Sequence, residues 1–139
     1  MSGRSEAVID VAVGLISPQE RVLEQAGLPL TLPILLKAMI DSGTARTLID
    51  LSVVAELGLL PTGEARITTP SSGVQEFRAP TYEVKLQLMG PPHVLISPAL
   101  TVISVDLSRF GLQVLLGRDV LARCLFYYNG PSDQFTFSF

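Results

Sequence analysis

Tryptophan is absent from the 139 residues, and cysteine and histidine occur once each, as Cys124 and His93. One cysteine excludes a disulfide within the chain, and one histidine leaves no His/Cys set for a metal centre. Neither a metal nor another cofactor is expected. Charge is scarce as well: charged residues make up 17% and the formal net charge is -3. No stretch interleaves Lys or Arg with aromatics, so the footprint of a nucleic-acid binder is missing. The opening residues Met1-Ser2-Gly3-Arg4-Ser5-Glu6 show no basic segment leading into a long apolar core. No uninterrupted apolar run approaches membrane-spanning length. The expectation is a soluble, cytoplasmic protein with no membrane partner.

Apolar residues, by contrast, reach 47%. With so few charges, much of the surface must be apolar or covered by a partner, which favours an obligate oligomer. The length suits one domain, 1–139, able to bury its own core, with residues 1–27 as an N-terminal strand or arm. Cys124 lies in the apolar stretch Leu121-Ala122-Arg123-Cys124-Leu125-Phe126, where a buried small hydrophobe is a better reading than a nucleophile without a His partner. His93 follows Pro91-Pro92 and reads as a solvated loop residue.

Along the chain, short strands dominate. Ala7 to Ile16 is β-branched and reads as a first strand, with Gly14 a candidate bulge. Ser17-Pro18 breaks it, and Glu20 to Ala26 suits a short helical turn or a hairpin arm. Leu28 to Ile34 carries two prolines and suits an edge strand, after which Leu36 to Ile40 runs into Asp41. Asp50 is a credible N-cap for a helix over Leu51 to Leu57, stopped by Gly58. Arg66 to Thr69 and Val74 to Arg78 flank a small-residue hairpin tip. Thr81 to Met89 alternates apolar residues, followed by strands at Val94 to Ile96, Ala99 to Val105 and Leu112 to Leu116, with Asp106 to Gly111 a loop. A second helix is expected over Asp119 to Leu125, then strands over Phe126 to Tyr128 and Gln134 to Phe139. The last of these aligns Phe135, Phe137 and Phe139 on one face. The sum is a mainly β, closed barrel-like domain with one or two short helices.

One segment carries chemistry. Ile40-Asp41-Ser42-Gly43-Thr44 ends an apolar strand on a carboxylate, set on a turn between two hydroxyl residues. A carboxylate in apolar surroundings is costly unless hydrogen-bonded or functional. Downstream, Val114-Leu115-Leu116-Gly117-Arg118-Asp119 is a second apolar strand ending on glycine and leading into a helix pattern. An isolated Asp-Ser-Gly is also an ordinary turn. In this order, however, with the helix close behind Asp41 and the hairpin between, Leu28 to Phe139 resembles the retropepsin-like aspartic protease family.

That resemblance implies a homodimeric aspartic endopeptidase acting on peptide or protein substrates. Such enzymes activate water between two carboxylates that share one proton, because two like charges so close cannot both ionise. The chain has one such triplet, so the resemblance implies a dyad of two Asp41 copies across a twofold axis. It further implies that Gly43 lets backbone approach the dyad, that Ser42 interlocks with the opposite protomer, and that Thr44 donates to the outer carboxylate oxygen. Gly117 would pack on the catalytic loop, and Arg118 would bind nearby backbone or acidic groups. Ala45 and Arg46 stand where the usual acidic partner of Arg118 is expected, leaving Asp119 or Asp50 as substitutes. Thr69, Pro70, Ser71, Ser72 and Gly73 would form a flap over the peptide, and the terminal strand would interleave at the dimer interface. The alternatives are a catalytically silent retropepsin-like domain for dimerisation or peptide binding, and a small β-barrel scaffold whose Asp-Ser-Gly is only a turn.

Overall fold

The computed structural model describes residues 7–68, 76–90 and 93–138. The expected flap tip, Thr69 to Gly73, lies outside the described residues. Three strands make the first wall of the barrel. β1 (Val8–Gly14) pairs antiparallel with β2 (Ile34–Ile40), Val11 opposite Leu36, and on its other edge with β5 (Glu76–Gly90), Val11 opposite Leu88. β2 then pairs in parallel with β7 (Val114–Leu116), β7 antiparallel with β3 (Leu48–Asp50), and β3 in parallel with β6 (His93–Val105). β6 pairs antiparallel with β5, so the β1–β5 pairing closes the ring. Closure leaves these six strands without a free edge in the ring. β4 (Gly63–Thr68) stays outside it, pairing with the first part of β5 as a projecting arm.

The interior is filled by β-branched and leucine side chains. Val11, Val13, Val84, Leu86, Leu88, Val102 and Leu116 are almost wholly buried, each contributing roughly 1.5–3 kcal/mol relative to exposure. α2 (Leu51–Leu57) caps one end, inserting Val53, Val54 and Leu57. Its start and stop follow the sequence: the Asp50 carboxylate accepts the Ser52 N–H at 3.0 Å, and Gly58 ends the helix at φ 67°.

Several boundaries differ from expectation. The segment 28–33 is not a strand, because Pro29 and Pro33 supply no N–H to a ladder; β2 begins at Ile34. The two strands expected at 94–96 and 99–105 are one, β6. Val84 faces Leu100 but Leu86 faces Ser97, so Pro98 and Ala99 bulge opposite Lys85 and the strand bends through its proline. The first helix is α1 (Ser17–Gln25), earlier and longer than expected, ended by Gly27 at φ 69° and tied to β5 by Glu20–Lys85 at 3.6 Å. α3 (Arg118–Leu121) is a single turn, starting one residue earlier and ending four residues sooner than expected, and a 3-10 turn, Ser108–Phe110, occupies the expected loop. There are thus three short α-helices rather than one or two among the described residues. β8 (Leu125–Asn129) and β9 (Gln134–Ser138) form a separate two-stranded sheet beside the barrel.

Candidate active site

β2 delivers Asp41 to the end of the barrel, beside β7. The Asp41 N–H donates to the Leu116 carbonyl at 2.9 Å, prolonging the β2–β7 pairing by one bond and fixing the backbone beneath the side chain. The chain then turns: the Thr44 N–H donates to the Asp41 carbonyl at 3.3 Å. This turn wraps donors around the carboxylate. Gly43 N–H donates to Oδ1 at 2.8 Å, and the Thr44 hydroxyl donates to Oδ2 at 2.8 Å. Each oxygen keeps a lone pair beyond its bond inside the turn, and the residue is half-buried. A Cβ built at Gly43 would come within 3.1 Å of Oδ1, so a side chain there would crowd the carboxylate. Ser42 is exposed at the turn's outer corner.

The second loop locks onto the first. Gly117 lies against the backbone of Arg46; a Cβ there would meet the Arg46 carbonyl carbon at 2.6 Å and its oxygen at 2.7 Å. That contact leaves no room for any side chain. It also lets Arg118 N–H reach the Thr44 carbonyl at 2.8 Å and Asp119 N–H the Ala45 carbonyl at 3.2 Å. The Arg118 guanidinium donates through Nη1 to the Ser42 carbonyl at 2.9 Å. The structure therefore brings Asp41, Ser42, Gly43, Thr44, Gly117 and Arg118 together.

Neither candidate acidic substitute pairs with Arg118: among the described residues, none of the ion pairs includes it. Asp119 turns inward instead. Its Oδ1 accepts the Thr47 hydroxyl at 2.7 Å and its Oδ2 accepts the Thr47 N–H at 2.9 Å. The same hydroxyl oxygen accepts the Gly117 N–H at 3.2 Å. Asp50 is occupied at the head of α2, where it also accepts the Leu107 N–H at 2.7 Å. Thr47 is thus a keystone that sequence reasoning did not single out. Its signal was a hydroxyl residue opening an apolar strand, but its partner lies 72 residues away.

Cys124 is half-buried with its Sγ 3.4 Å from the Val120 carbonyl, and burial pushes its thiol pKa up, which opposes thiolate chemistry. Among the described residues, no group of three or more His, Cys, Asp or Glu is placed to hold a metal ion. Nor, among those residues, is any helix long and apolar enough to cross a membrane. Two clefts, of about 810 and 440 Å³, are lined by residues such as Leu35 and Lys37, or Val22 and Leu60; neither includes any of residues 41–50.

No family model matches the chain, and no curated protein sequence matches it. Among solved structures, a retropepsin-like aspartic protease from Rickettsia conorii is similar with a TM-score of 0.51 at 13% identity, over 99% of this chain and 96% of that one. EIAV protease complexed with an inhibitor aligns with a TM-score of 0.45 at 12% identity, over 88% of this chain and 91% of that one. The foamy viral protease-reverse transcriptase, in complex with an RNA/DNA hybrid, aligns with a TM-score of 0.49 at 15% identity. That match covers 85% of this chain, which spans only 12% of the viral chain's length. At such identities likeness speaks for the fold alone, and the Rickettsia conorii protein, matched nearly end to end, carries the assignment. By its closed barrel, its projecting β4–β5 arm and its paired Asp41 and Gly117 loops, the chain has the retropepsin-like fold.

Proposed function

We propose that the chain is an aspartic endopeptidase acting as a homodimer, in which two copies of Asp41 hold and activate one water. The observation that carries this reading is the Asp41 carboxylate itself. It is half-buried, pinned through its backbone to β7, and bonded at one oxygen by Gly43 and at the other by Thr44. A carboxylate fixed this way, with lone pairs still open, can face a second copy and share a proton with it.

In the reaction, the ionised carboxylate takes a proton from water as the water oxygen bonds to the scissile carbonyl carbon. The protonated partner donates a hydrogen bond to the carbonyl oxygen as negative charge develops there. Collapse of the tetrahedral intermediate breaks the C–N bond, and the proton taken from water passes to the leaving nitrogen. Ser42, exposed at the corner of the turn, is suited to meet the opposite protomer. Gly117 and Arg118 hold the loop from behind. The segment that joins β4 to β5, which includes Thr69, Pro70, Ser71, Ser72 and Gly73, would close over the peptide and exclude water.

Cleavage of an unbiased peptide mixture at high protein concentration, from mildly acidic to neutral pH, tests the proposal. Asp41→Asn is expected to lower cleavage by at least about a thousandfold, the scale of acid–base catalysis by a positioned carboxyl group. Equal cleavage by both proteins would remove Asp41 from the mechanism. A folded dimer that binds peptides and cuts none would favour a silent peptide-binding domain instead.

A further inference from the structure

Arg118 and Arg123 stand at the two ends of one short, tightly bonded piece of chain. The N–H groups of Ala122, Arg123 and Cys124 donate to the carbonyls of Arg118, Val120 and Leu121 at 2.9, 3.0 and 3.0 Å, and Val120 is buried at its centre. Its near end is the one tied to the Asp41 turn. Arg118 N–H reaches the Thr44 carbonyl, Asp119 N–H the Ala45 carbonyl, and the Arg118 guanidinium the Ser42 carbonyl. Ser42, Gly43 and Ala45 are exposed, so this turn depends on its bonds more than on burial. Thr44 joins the two sides: its carbonyl accepts from Arg118, while its hydroxyl donates to Asp41 Oδ2.

The far end is fastened elsewhere. Arg123 donates through Nη1 to the Ser97 hydroxyl at 2.6 Å and through Nη2 to the Ile96 carbonyl at 3.4 Å. Both acceptors lie on β6, immediately ahead of its bulge at Pro98 and Ala99. Ser97 is buried, and a hydroxyl withdrawn from water needs a partner. Arg123 supplies one, with a bond strengthened by its charge and a second nitrogen that fixes the direction of the fork. Beyond the bulge β6 runs on between β5 and β3 as part of the barrel wall. Arg123 therefore anchors α3 to the frame of the barrel.

We propose that Arg123 is a positioning residue for Asp41: by pinning the far end of α3 to the bend of β6, it holds the near end against the Asp41 turn. Its effect on cleavage rests on the proteolytic reading above, whereas its effect on the turn rests on these bonds alone.

Three variants of the full chain test the link. Arg123→Met keeps the apolar stem and loses both bonds, Arg123→Lys keeps the charge and one possible bond, and Ser97→Ala removes an acceptor from the other side. Amide hydrogen exchange followed by NMR reads the loop directly. In Arg123→Met the N–H groups of Arg118 and Asp119 are expected to exchange about tenfold faster, the worth of one charge-assisted bond, while those of β1 and β2 keep their rates. Arg123→Lys should restore part of the protection, and Ser97→Ala should add little once Arg123 is gone. With the peptide mixture, kcat should fall by a similar factor in Arg123→Met at nearly constant KM. Unchanged exchange at Arg118 and Asp119, or exchange that rises equally through the barrel, would overturn the proposal. Faster loop exchange with an unchanged kcat would remove Arg123 from the reaction. Should wild type cut no peptide, the proteolytic reading fails by itself, and the exchange rates still decide whether Arg123 holds the turn.

Discussion

The Gly117 loop, clamped to the Asp41 turn, and the β8–β9 hairpin lie close together in the sequence, yet they are built on opposite terms. The loops are joined by backbone bonds, by a glycine with no space above it, and by Thr47, which is 1% exposed and bonded to Asp119. Among the described residues the hairpin's strands pair only with each other, and it leaves Leu125 70% and Tyr127 63% exposed. An isolated two-stranded sheet is marginal in water, and clustered exposed apolar side chains mark a surface that meets something else. The contrast teaches a division of labour. The chain holds the Asp41 carboxylate in place with contacts of its own, while the hairpin leaves apolar side chains open. The proposed homodimeric enzyme would need such a division, with each half-site preformed and only the second carboxylate arriving from outside.

The largest effect is expected at the clamp. Gly117→Ala sets a methyl group 2.6 Å from a backbone carbon that cannot swing away as a side chain would. Relief requires the two loops to separate, stretching Arg118 N–H from Thr44 and Asp119 N–H from Ala45. Overpacking of this kind costs about 3 kcal/mol at the upper end of its usual range. Thermal unfolding should show a fall in Tm of roughly 10 °C. A Tm within a degree of wild type would show that the loops give way easily and are no clamp.

Much of that clamp was legible in the sequence, but not the parts that join distant residues. Asp41-Ser42-Gly43-Thr44 after an apolar run, Asp50 before a helix and Gly58 behind it are local chemistry, and local chemistry can be read from spacing. The Thr47–Asp119 bond could not be found that way, because nothing in either residue's neighbourhood names the other. A closed barrel was expected and is found, but not that β1 and β5 are the strands that close it, since alternation says which face is buried and not which strand lies beside it. Pro98 suggested a break between two strands, whereas the structure absorbs it as a bulge at the barrel's bend. At Leu28 to Ile34 the two prolines were expected to be tolerated in an edge strand, but no strand begins before Ile34.

The next effect in size lies at the end of β3, just beyond the clamp. The Ser52 hydroxyl, with the N–H groups of Leu107 and Ser52, holds the Asp50 carboxyl below its ordinary value of 3.8, against the opposing push of burial. A lowered folded-state pKa means that this stabilisation is complete above the unfolded value and is lost as pH falls through the folded one. Asp50→Ala should therefore cost about 1–2 kcal/mol at neutral pH, the worth of a helix N-cap with one further bond. The gap between the two proteins should narrow below about pH 4, where the carboxyl of the unfolded wild-type chain binds a proton before that of the folded one. Denaturant titrations at neutral and acidic pH measure it. A gap of constant size would assign the loss to packing rather than to the charge.

The smallest effect on folding is expected in the hairpin, and there the comparison is most exposed to failure. Leu125→Ser together with Tyr127→Ser removes two side chains that are mostly in solvent already. Substitutions at such positions change stability by no more than about 0.5 kcal/mol each. If the hairpin is an unfinished assembly surface, the same pair of changes should shift self-association strongly, and sedimentation across a range of concentrations would show the dimer giving way to monomer. Cleavage should then fall with the dimer population and recover when protein concentration is raised. Loss of folding stability as large as that of Asp50→Ala would mean the hairpin already supports the barrel, and the two regions would not differ in kind. Unchanged stability with unchanged association would leave the hairpin out of the interface and shift attention to the remaining exposed apolar surface, where Leu35 at 76% and Leu60 at 81% are the next side chains to vary.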